Sequence, residues 1–400
     1  MPHILKIGTM ISKQRLFETL SEYNLDAIIA SSPQNVFYLS GLQSLTQRLL
    51  GQHAFVIWTP HLNNPLIILP SVDASIIVDK NIQYDSIYTF GNFFMYEGSS
   101  ISPSDLSVQT IKNTNNFPDP ISALSSAIKS IIPDSSTIAL EQSGFSVSEF
   151  SQVSSKINPD IILADDIISD LRMIKNSNEI KYLKQAAKIN QAAVESAITK
   201  VTSGITERDL ANHYESELIS NGAYPLFTAI GFGSHGAYPH AIPGKRIIEV
   251  GDLIRFDVGC TYENYSSDIA RTFSFGASDP ILQQKYEVLC SSMNHGIEML
   301  HDGVQTNTIF NEIVGYIRDN GPSNFSNFNR NHVGHGIGID VYDHPTISPD
   351  NGILKDGMVL CIEPPYYELG TAGIQVEDEV HITSHGTERF THSPSTLIAL

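Results

Sequence analysis

Apolar residues recur along this chain in two arrangements, and the change from one to the other divides it. In residues 13–23, Leu16 and Leu20 share one helical face. Residues 26–30 form a short apolar run of buried-strand type, followed by the turn-rich Ser31-Ser32-Pro33-Gln34-Asn35. Residues 53–58 and 66–70 also read as strands. This alternation predicts an α/β unit around a central sheet. Residues 98–120, rich in Ser, Asn and Pro, read as a long surface loop.

A second organisation starts near Arg172. Asn176-Ser177-Asn178-Glu179 fits a capping box, in which Asn176 caps and Glu179 reaches back. Ile180, Leu183, Ala187, Val194, Ile198 and Val201 then recur at helical spacing up to Gly204. Thr206-Glu207-Arg208-Asp209 opens another helix, closed by Gly222. Further helices are expected over 280–301 and 307–320, the last stopped by Gly321-Pro322. Strands are expected at 226–231, 253–259, 266–275, 358–363 and 373–382. Helices and strands in blocks predict an α+β domain. The boundary falls between 165 and 175, which gives domains of 1–168 and 169–400.

The chain has 400 residues, 41% of them apolar, enough to build a sizeable core in two or three domains. Its formal charge of −19 argues against nucleic acid or an anionic membrane as the main partner, since both need a basic face. Cys260, Cys290 and Cys361 are an odd number and widely spaced, so no disulfide framework or paired-cysteine zinc site is expected. Reduced thiols point to the cytoplasm. Residues 1–13 carry no apolar stretch of signal-peptide length. The longest apolar runs, such as 27–30 and 66–69, fall far short of the ~20 residues that span a bilayer. The expectation is a soluble cytoplasmic protein with no membrane partner.

Five residues of the second half carry candidate chemistry. Asp257 interrupts the apolar strand Leu253-Ile254-Arg255-Phe256-Asp257-Val258-Gly259, and Asp268 lies on the expected return strand. With 260–264 as the connection, a hairpin brings both carboxylates to one face, where a bound cation relieves their repulsion. Glu363 follows Met358-Val359-Leu360-Cys361-Ile362, and Glu377 lies in Gly373-Ile374-Gln375-Val376-Glu377, a second strand–turn–strand with inward acids. Between the pairs stands His335, flanked by glycines that permit close backbone approach. Four carboxylates and an imidazole suit two divalent ions roughly 3.5–4 Å apart, bridged by shared carboxylates and a hydroxide. Cys361 reads as a small buried hydrophobe.

In this order, and with the contexts Gly-His-Gly-Ile-Gly and Ile-Glu-Pro, the sequence from about 172 to 400 resembles the pita-bread metallopeptidases. These include methionine aminopeptidases, prolidases, aminopeptidases P and creatinase relatives. Ser32-Pro33-Gln34-Asn35-Val36-Phe37-Tyr38-Leu39-Ser40-Gly41 resembles the creatinase-type N-terminal domain. Methionine aminopeptidases usually lack that domain, so the resemblance favours the Xaa-Pro branch. It implies an α/β creatinase-like domain followed by an α+β pita-bread catalytic domain. It implies that Asp257 holds one metal, that His335 and Glu363 hold the other, and that Asp268 and Glu377 bridge them. His240, in Tyr238-Pro239-His240-Ala241, matches the family histidine that faces the substrate. The implied activity is hydrolysis of an Xaa-Pro peptide bond by the bridging hydroxide. Glu363 would carry the proton to the leaving nitrogen, and His240 would stabilise the oxyanion or assist that transfer. Manganese, cobalt, zinc and iron all suit such a donor set. A homodimer is implied, with the N-terminal domain of one subunit approaching its neighbour's cleft.

Three departures concern substrate groups. Tyr342 stands where the family has a histidine, Asp343 stands at the following glutamate position, and His344 lies two residues beyond Tyr342, on the same face if the segment is extended. Gln375 replaces an arginine two residues before the last glutamate, which removes a positive charge from beside the metals. Asn331 holds the position of another family histidine, with His332 one residue off. Tyr342, His344 and Gln375 are therefore candidate substrate contacts, and Tyr342 and His344 candidate catalytic groups. Two other readings stand beside the peptidase: a pathway hydrolase of a small non-peptide amide or lactam, and a binding protein on the same scaffold.

Overall fold

The computed structural model describes residues 11–400. Most of the segment read for a leader, residues 1–10, lies outside the described residues. The chain divides into two compact units, the first ending at Leu171 and the second beginning at Arg172.

The first unit is built on a mixed seven-stranded sheet. Its strands are Ala27–Ala30 (β1), Phe55–Trp58 (β2), Leu66–Pro70 (β3), Ser86–Phe90 (β4), Asn116–Phe117 (β5), Thr137–Leu140 (β6) and Asp160–Leu163 (β7). They run in the order β5-β4-β3-β2-β1-β6-β7. β1, β2 and β3 are buried along their whole length, as expected for strands covered on both faces. Trp58 is fully buried, donates Nε1–H to the Leu39 carbonyl at 2.8 Å and meets Phe17 edge-on. Trp58→Ala is expected to lower the unfolding free energy of this unit by about 3–5 kcal/mol. Urea denaturation followed by circular dichroism measures this, because the variant lacks the chain's one tryptophan.

Two expectations for this unit are corrected. Residues 31–35 do not form a turn: Ser32 caps the helix Pro33–Ser40, with Pro33 in the first helical position, where its missing N–H is harmless. Residues 98–120 are not one loop but contain the helix Pro103–Asn113 and β5. A reciprocal capping box of Ser102 and Asp105 starts that helix. Only Ile111 of it is buried, so it shows no apolar periodicity.

In the second unit, Tyr224–Phe232 (β8), Leu253–Tyr262 (β9), Tyr265–Ser274 (β10) and the late Ile398–Ala399 (β18) form a sheet in the order β18-β10-β9-β8. Gly334–Gly336 (β11), Asp343–Thr346 (β12), Val359–Ile362 (β13), Asp378–Thr383 (β16) and Gly386–Arg389 (β17) form a second, in the order β12-β11-β13-β16-β17. Tyr366–Glu368 (β14) and Ala372–Ile374 (β15) pair separately. The helices Ser177–Ile198 and Glu207–Ser220 cover the first sheet through Val194, Leu210 and Tyr214 against Ile254, Phe256 and Ile269. The helices Pro280–Glu298 and Thr306–Asn320 cover the second through Leu289 and Ile313 against Leu360 and Val380. The other faces of the sheets are left to carry polar groups.

The hairpin is tighter than expected. β9 and β10 run on to Tyr262 and from Tyr265, so the connection is Glu263-Asn264 alone, both at positive φ (48° and 69°). That is the two-residue turn whose twist matches the strands. Residues 373–382 are not one strand: β15 and β16 belong to different sheets, with residues 375–377 crossing between them. At the crossing Glu377 N–H donates to the Ala270 carbonyl, joining the second sheet to β10.

Candidate metal centre

Side-chain alternation on β9 explains its mixed composition. Ile254, Phe256 and Val258 face the helices, so Arg255, Asp257 and Gly259 face the other way. In the β9/β10 register Asp257 lies opposite Ala270, and Asp268 opposite Gly259. Cross-strand partners share a face, so the two carboxylates are diagonal neighbours on it. On the second sheet, Ile362 pairs with Asp378, which leaves Glu363 and Glu377 flanking the end of that pairing. β11 lies against β13 with His335 opposite Cys361, and this aims the imidazole at the same point.

His335 Nε2 stands 3.8 Å from Asp268 Oδ2, 3.8 Å from Glu363 Oε1 and 3.9 Å from Glu377 Oε1. Its Nδ1 donates to the Gly336 carbonyl at 3.0 Å, so the Nε2 lone pair faces the carboxylates. One oxygen each of Asp257, Asp268 and Glu377 falls within 4.8 Å of the others, and His335, Cys361 and Glu377 form a second such group. Asp268 Oδ1, Glu363 Oε1, Glu377 Oε1 and His335 Nε2 are buried without a hydrogen-bond partner. Buried acceptors converging with no donor are costly for a protein alone. Divalent cations satisfy them, and this oxygen-rich set with one imidazole fits such ions.

The electrostatics agree. Burial and mutual repulsion push the Asp268 and Glu377 carboxyls well above the usual range, and raise Glu363 to about 8. Burial raises Asp257 as well, although the Arg255 guanidinium pulls it back. Burial holds the His335 imidazole down at about 4, hence neutral and able to ligate.

A cavity of about 450 Å³ opens beside this cluster, and Asp257, Asp268, His240, Tyr342, Phe227 and Ile242 are among its walls. His240 is exposed at its rim. Tyr342 stacks on the His335 ring, with centroids 3.8 Å apart. His344 is not brought into the site: it is exposed and absent from the cavity wall. A shared face requires an extended segment, but Tyr342 lies in a bend and β12 begins only at Asp343, so the two-residue spacing does not bring His344 in with Tyr342. Asp343 pairs with Arg172 at 2.6 Å and with Lys175 at 3.7 Å. His332, one residue out of step, still places Nδ1 3.6 Å from Glu363 Oε1.

Gln375 does not line the cavity. It is buried behind the cluster, where Oε1 accepts from Arg255 Nη1 at 2.9 Å and from Tyr367 OH at 3.1 Å, and Nε2 approaches Glu363 Oε2 at 3.5 Å. The charge expected to be missing there is present, supplied by Arg255 from β9, with Nη1 3.1 Å from Asp257 Oδ2. Sequence reasoning passed over Arg255, although an arginine inside an apolar strand signals a buried partner. It also passed over Glu379. This buried acid accepts from Ser267 Oγ and from the Asp268 N–H, and burial raises it to about 8. Ser267 is held in turn by Asn190, and Asn190 by Tyr214.

Both units of the chain are similar to known proteins. The model of metallopeptidase family M24 matches residues 181–384, and that of the creatinase/prolidase N-terminal domain matches residues 13–174. An Xaa-Pro dipeptidase of Pyrococcus horikoshii is 27% identical over 96% of this chain and 98% of its own length. A putative dipeptidase of Bacillus subtilis is 28% identical over 97% and 99%. Among solved structures, the prolidase of Pyrococcus furiosus is 26% identical, covers 94% of this chain and 99% of its own, and superposes with a TM-score of 0.74. An Xaa-Pro dipeptidase from Bacillus anthracis, 24% identical over 97% of this chain and 98% of its own, shares the fold with a TM-score of 0.79.

Proposed function

The chain belongs to metallopeptidase family M24, and from that premise we propose that it hydrolyses the peptide bond before proline in small peptides. Two divalent ions would be held by Asp257, Asp268, His335, Glu363 and Glu377. The observation that carries this reading is the convergence of four unpartnered buried acceptors on one point beside an open cavity. The relatives named as Xaa-Pro dipeptidases and prolidases support the substrate class. The non-peptide amide reading loses one of its two motives, since Arg255 supplies the charge that Gln375 lacks, and the relatives favour the peptidase.

Asp268 and Glu377, the most deeply placed carboxylates, would be shared between the two ions, with Asp257 serving one and His335 and Glu363 the other. Divalent cations there supply a water acidified to near neutrality and a Lewis acid for the scissile carbonyl. Glu363 would carry the proton to the leaving nitrogen, its carboxylate oriented by Gln375 Nε2 at 3.5 Å from Oε2. His240, at the rim beside Asp257, donates to the carbonyl oxygen as it gains charge. The Tyr342 hydroxyl, held un-ionised because burial and the carboxylates raise its pKa, donates to the substrate where the family uses histidine. His240→Ala is expected to lower kcat about 10²-fold with Mn²⁺ affinity unchanged, as read by steady-state kinetics and calorimetry.

The metal is Mn²⁺, Co²⁺, Zn²⁺ or Fe²⁺ by the donor set. A homodimer is part of the same reading, supported by the family resemblance and tested by light scattering. Cytoplasmic residence is supported by three buried free thiols. No helix among the described residues is long and apolar enough to cross a membrane. The test of substrate class is a panel of di- and tripeptides given to the Mn²⁺-loaded protein and read by mass spectrometry. Cleavage confined to bonds before proline supports the proposal, and the preferred length separates dipeptidase from aminopeptidase. No cleavage with metal bound refutes it.

A further inference from the structure

His240 lies on the segment 233–243 between β8 and β9, and two buried charges of opposite sign grip that segment. Glu207, at the start of the helix Glu207–Ser220, is fully buried. It accepts from Phe232 N–H at 2.9 Å, Gly244 N–H at 3.0 Å and His235 Nδ1 at 2.7 Å, which fixes both ends of the segment. Arg255 grips the middle. Its Nε donates to the Gly236 carbonyl at 2.8 Å, and its Nη2 donates to the Tyr238 and Pro239 carbonyls at 2.7 and 2.9 Å. Its Nη1 donates to Asp257 Oδ2 at 3.1 Å and to Gln375 Oε1 at 2.9 Å.

All five donors of the guanidinium are therefore used, at zero exposure. Such a buried cation is tolerated only with complete pairing, and half-satisfied it is destabilising. Arg255 is not among the residues of the cavity wall. What its bonds do is join two things the reaction needs: a carboxylate of the metal cluster and the backbone immediately before His240. The planar fork matters, because a lysine ammonium is a point charge that cannot span three carbonyls and a carboxylate.

We propose that Arg255 is a positioning residue that couples the Asp257 carboxylate to the backbone of the His240 segment, so that one guanidinium sets both the metal ligand and the substrate-facing imidazole. The inference rests on the roles given to Asp257 and His240 above. It separates two functions that one side chain performs. The charge beside Asp257 can be delivered from another position, because Gln375 already touches the same Nη1. The three carbonyl bonds can be made only from 255.

The test compares the parent with R255K, R255L and R255L/Q375R. Five quantities are read: Mn²⁺ affinity by calorimetry on metal-depleted protein, amide hydrogen exchange over 236–242 in the metal-free state, kcat and KM for an Xaa-Pro dipeptide, and the thermal midpoint. R255K is expected to keep Mn²⁺ affinity within about threefold while kcat falls about 10–100-fold and exchange over 238–242 quickens. R255L is expected to lose about 10–100-fold in affinity as well. R255L/Q375R is expected to recover the affinity but neither the protection nor kcat. R255K keeps the charge and decides the question even where R255L does not fold. Parental kcat and exchange in R255K overturn the coupling. Full recovery of kcat in R255L/Q375R also overturns it. A parent that binds no Mn²⁺ at all overturns the metal-site reading itself, whereas parental binding with indistinguishable variants overturns only this inference.

Discussion

Asp268→Ala is expected to remove metal binding and activity together, with kcat/KM falling at least about 10³-fold, ~4 kcal/mol of transition-state stabilisation. Asp268 sits on the one face where both sheets meet. It is buried, diagonal to Asp257 across the hairpin, and 3.8 Å from His335 Nε2. One of its oxygens has no partner, and its neighbours on the cluster are also acceptors. In the proposed ligand set Asp268 has no substitute among them, since Glu363 and Glu377 are already committed. The same substitution is expected to raise the thermal midpoint of the metal-free protein, because it removes one of four crowded carboxylates. Loss of function with gain of metal-free stability is a combination that a merely structural aspartate does not produce. Metal content by mass spectrometry, kcat/KM and thermal unfolding together check it; an unchanged rate sinks the assignment.

Stripping the metal is expected to destabilise the protein more as pH rises. In the metal-free fold burial raises Glu363 to about 8 against an ordinary 4.5, and burial with mutual repulsion also raises Asp268 and Glu377 well above their ordinary values. Between those values the folded state holds more protons than the unfolded chain, so stability falls as pH rises through the window. His335, held at about 4 against an ordinary 6.5, acts in the opposite sense below 6.5 and is silent above it. From pH 6.5 to 8.5 the raised carboxyls, Glu379 among them, set the slope, opposed by Lys175, whose ammonium burial pulls down. The midpoint of the stripped protein is expected to drop by about 5 °C or more across that range, while that of the Mn²⁺-loaded protein does not. Mn²⁺ binding releases protons, so its apparent affinity rises with pH over the same window. Equal pH profiles for the stripped and loaded protein contradict this.

What the sequence discloses follows the range of the interactions involved. Capping boxes at Asn176/Glu179 and Thr206/Asp209 are local chemistry, and the helices start there. The β9/β10 hairpin is legible because its partner strand is adjacent, although only the backbone shows that two residues suffice for the turn. The helix Pro103–Asn113 hides because its stability comes from its ends and not from an apolar stripe. Gln375 and Arg255 illustrate the harder case. Their meaning depends on a contact across 120 residues, so a missing charge at one position and an odd arginine at another look unrelated until the sheets are assembled. His344 fails because its expected face assumed an extended segment, whereas Tyr342 sits in a bend and the strand begins only at Asp343.

The measurement that bears most directly on the account is hydrolysis of one Xaa-Pro dipeptide by metal-depleted protein as Mn²⁺ is added in known equivalents. No turnover is expected without metal, and activity is expected to rise with added ion and to saturate at two ions per chain. Turnover without metal, or none with two ions bound, would contradict the account.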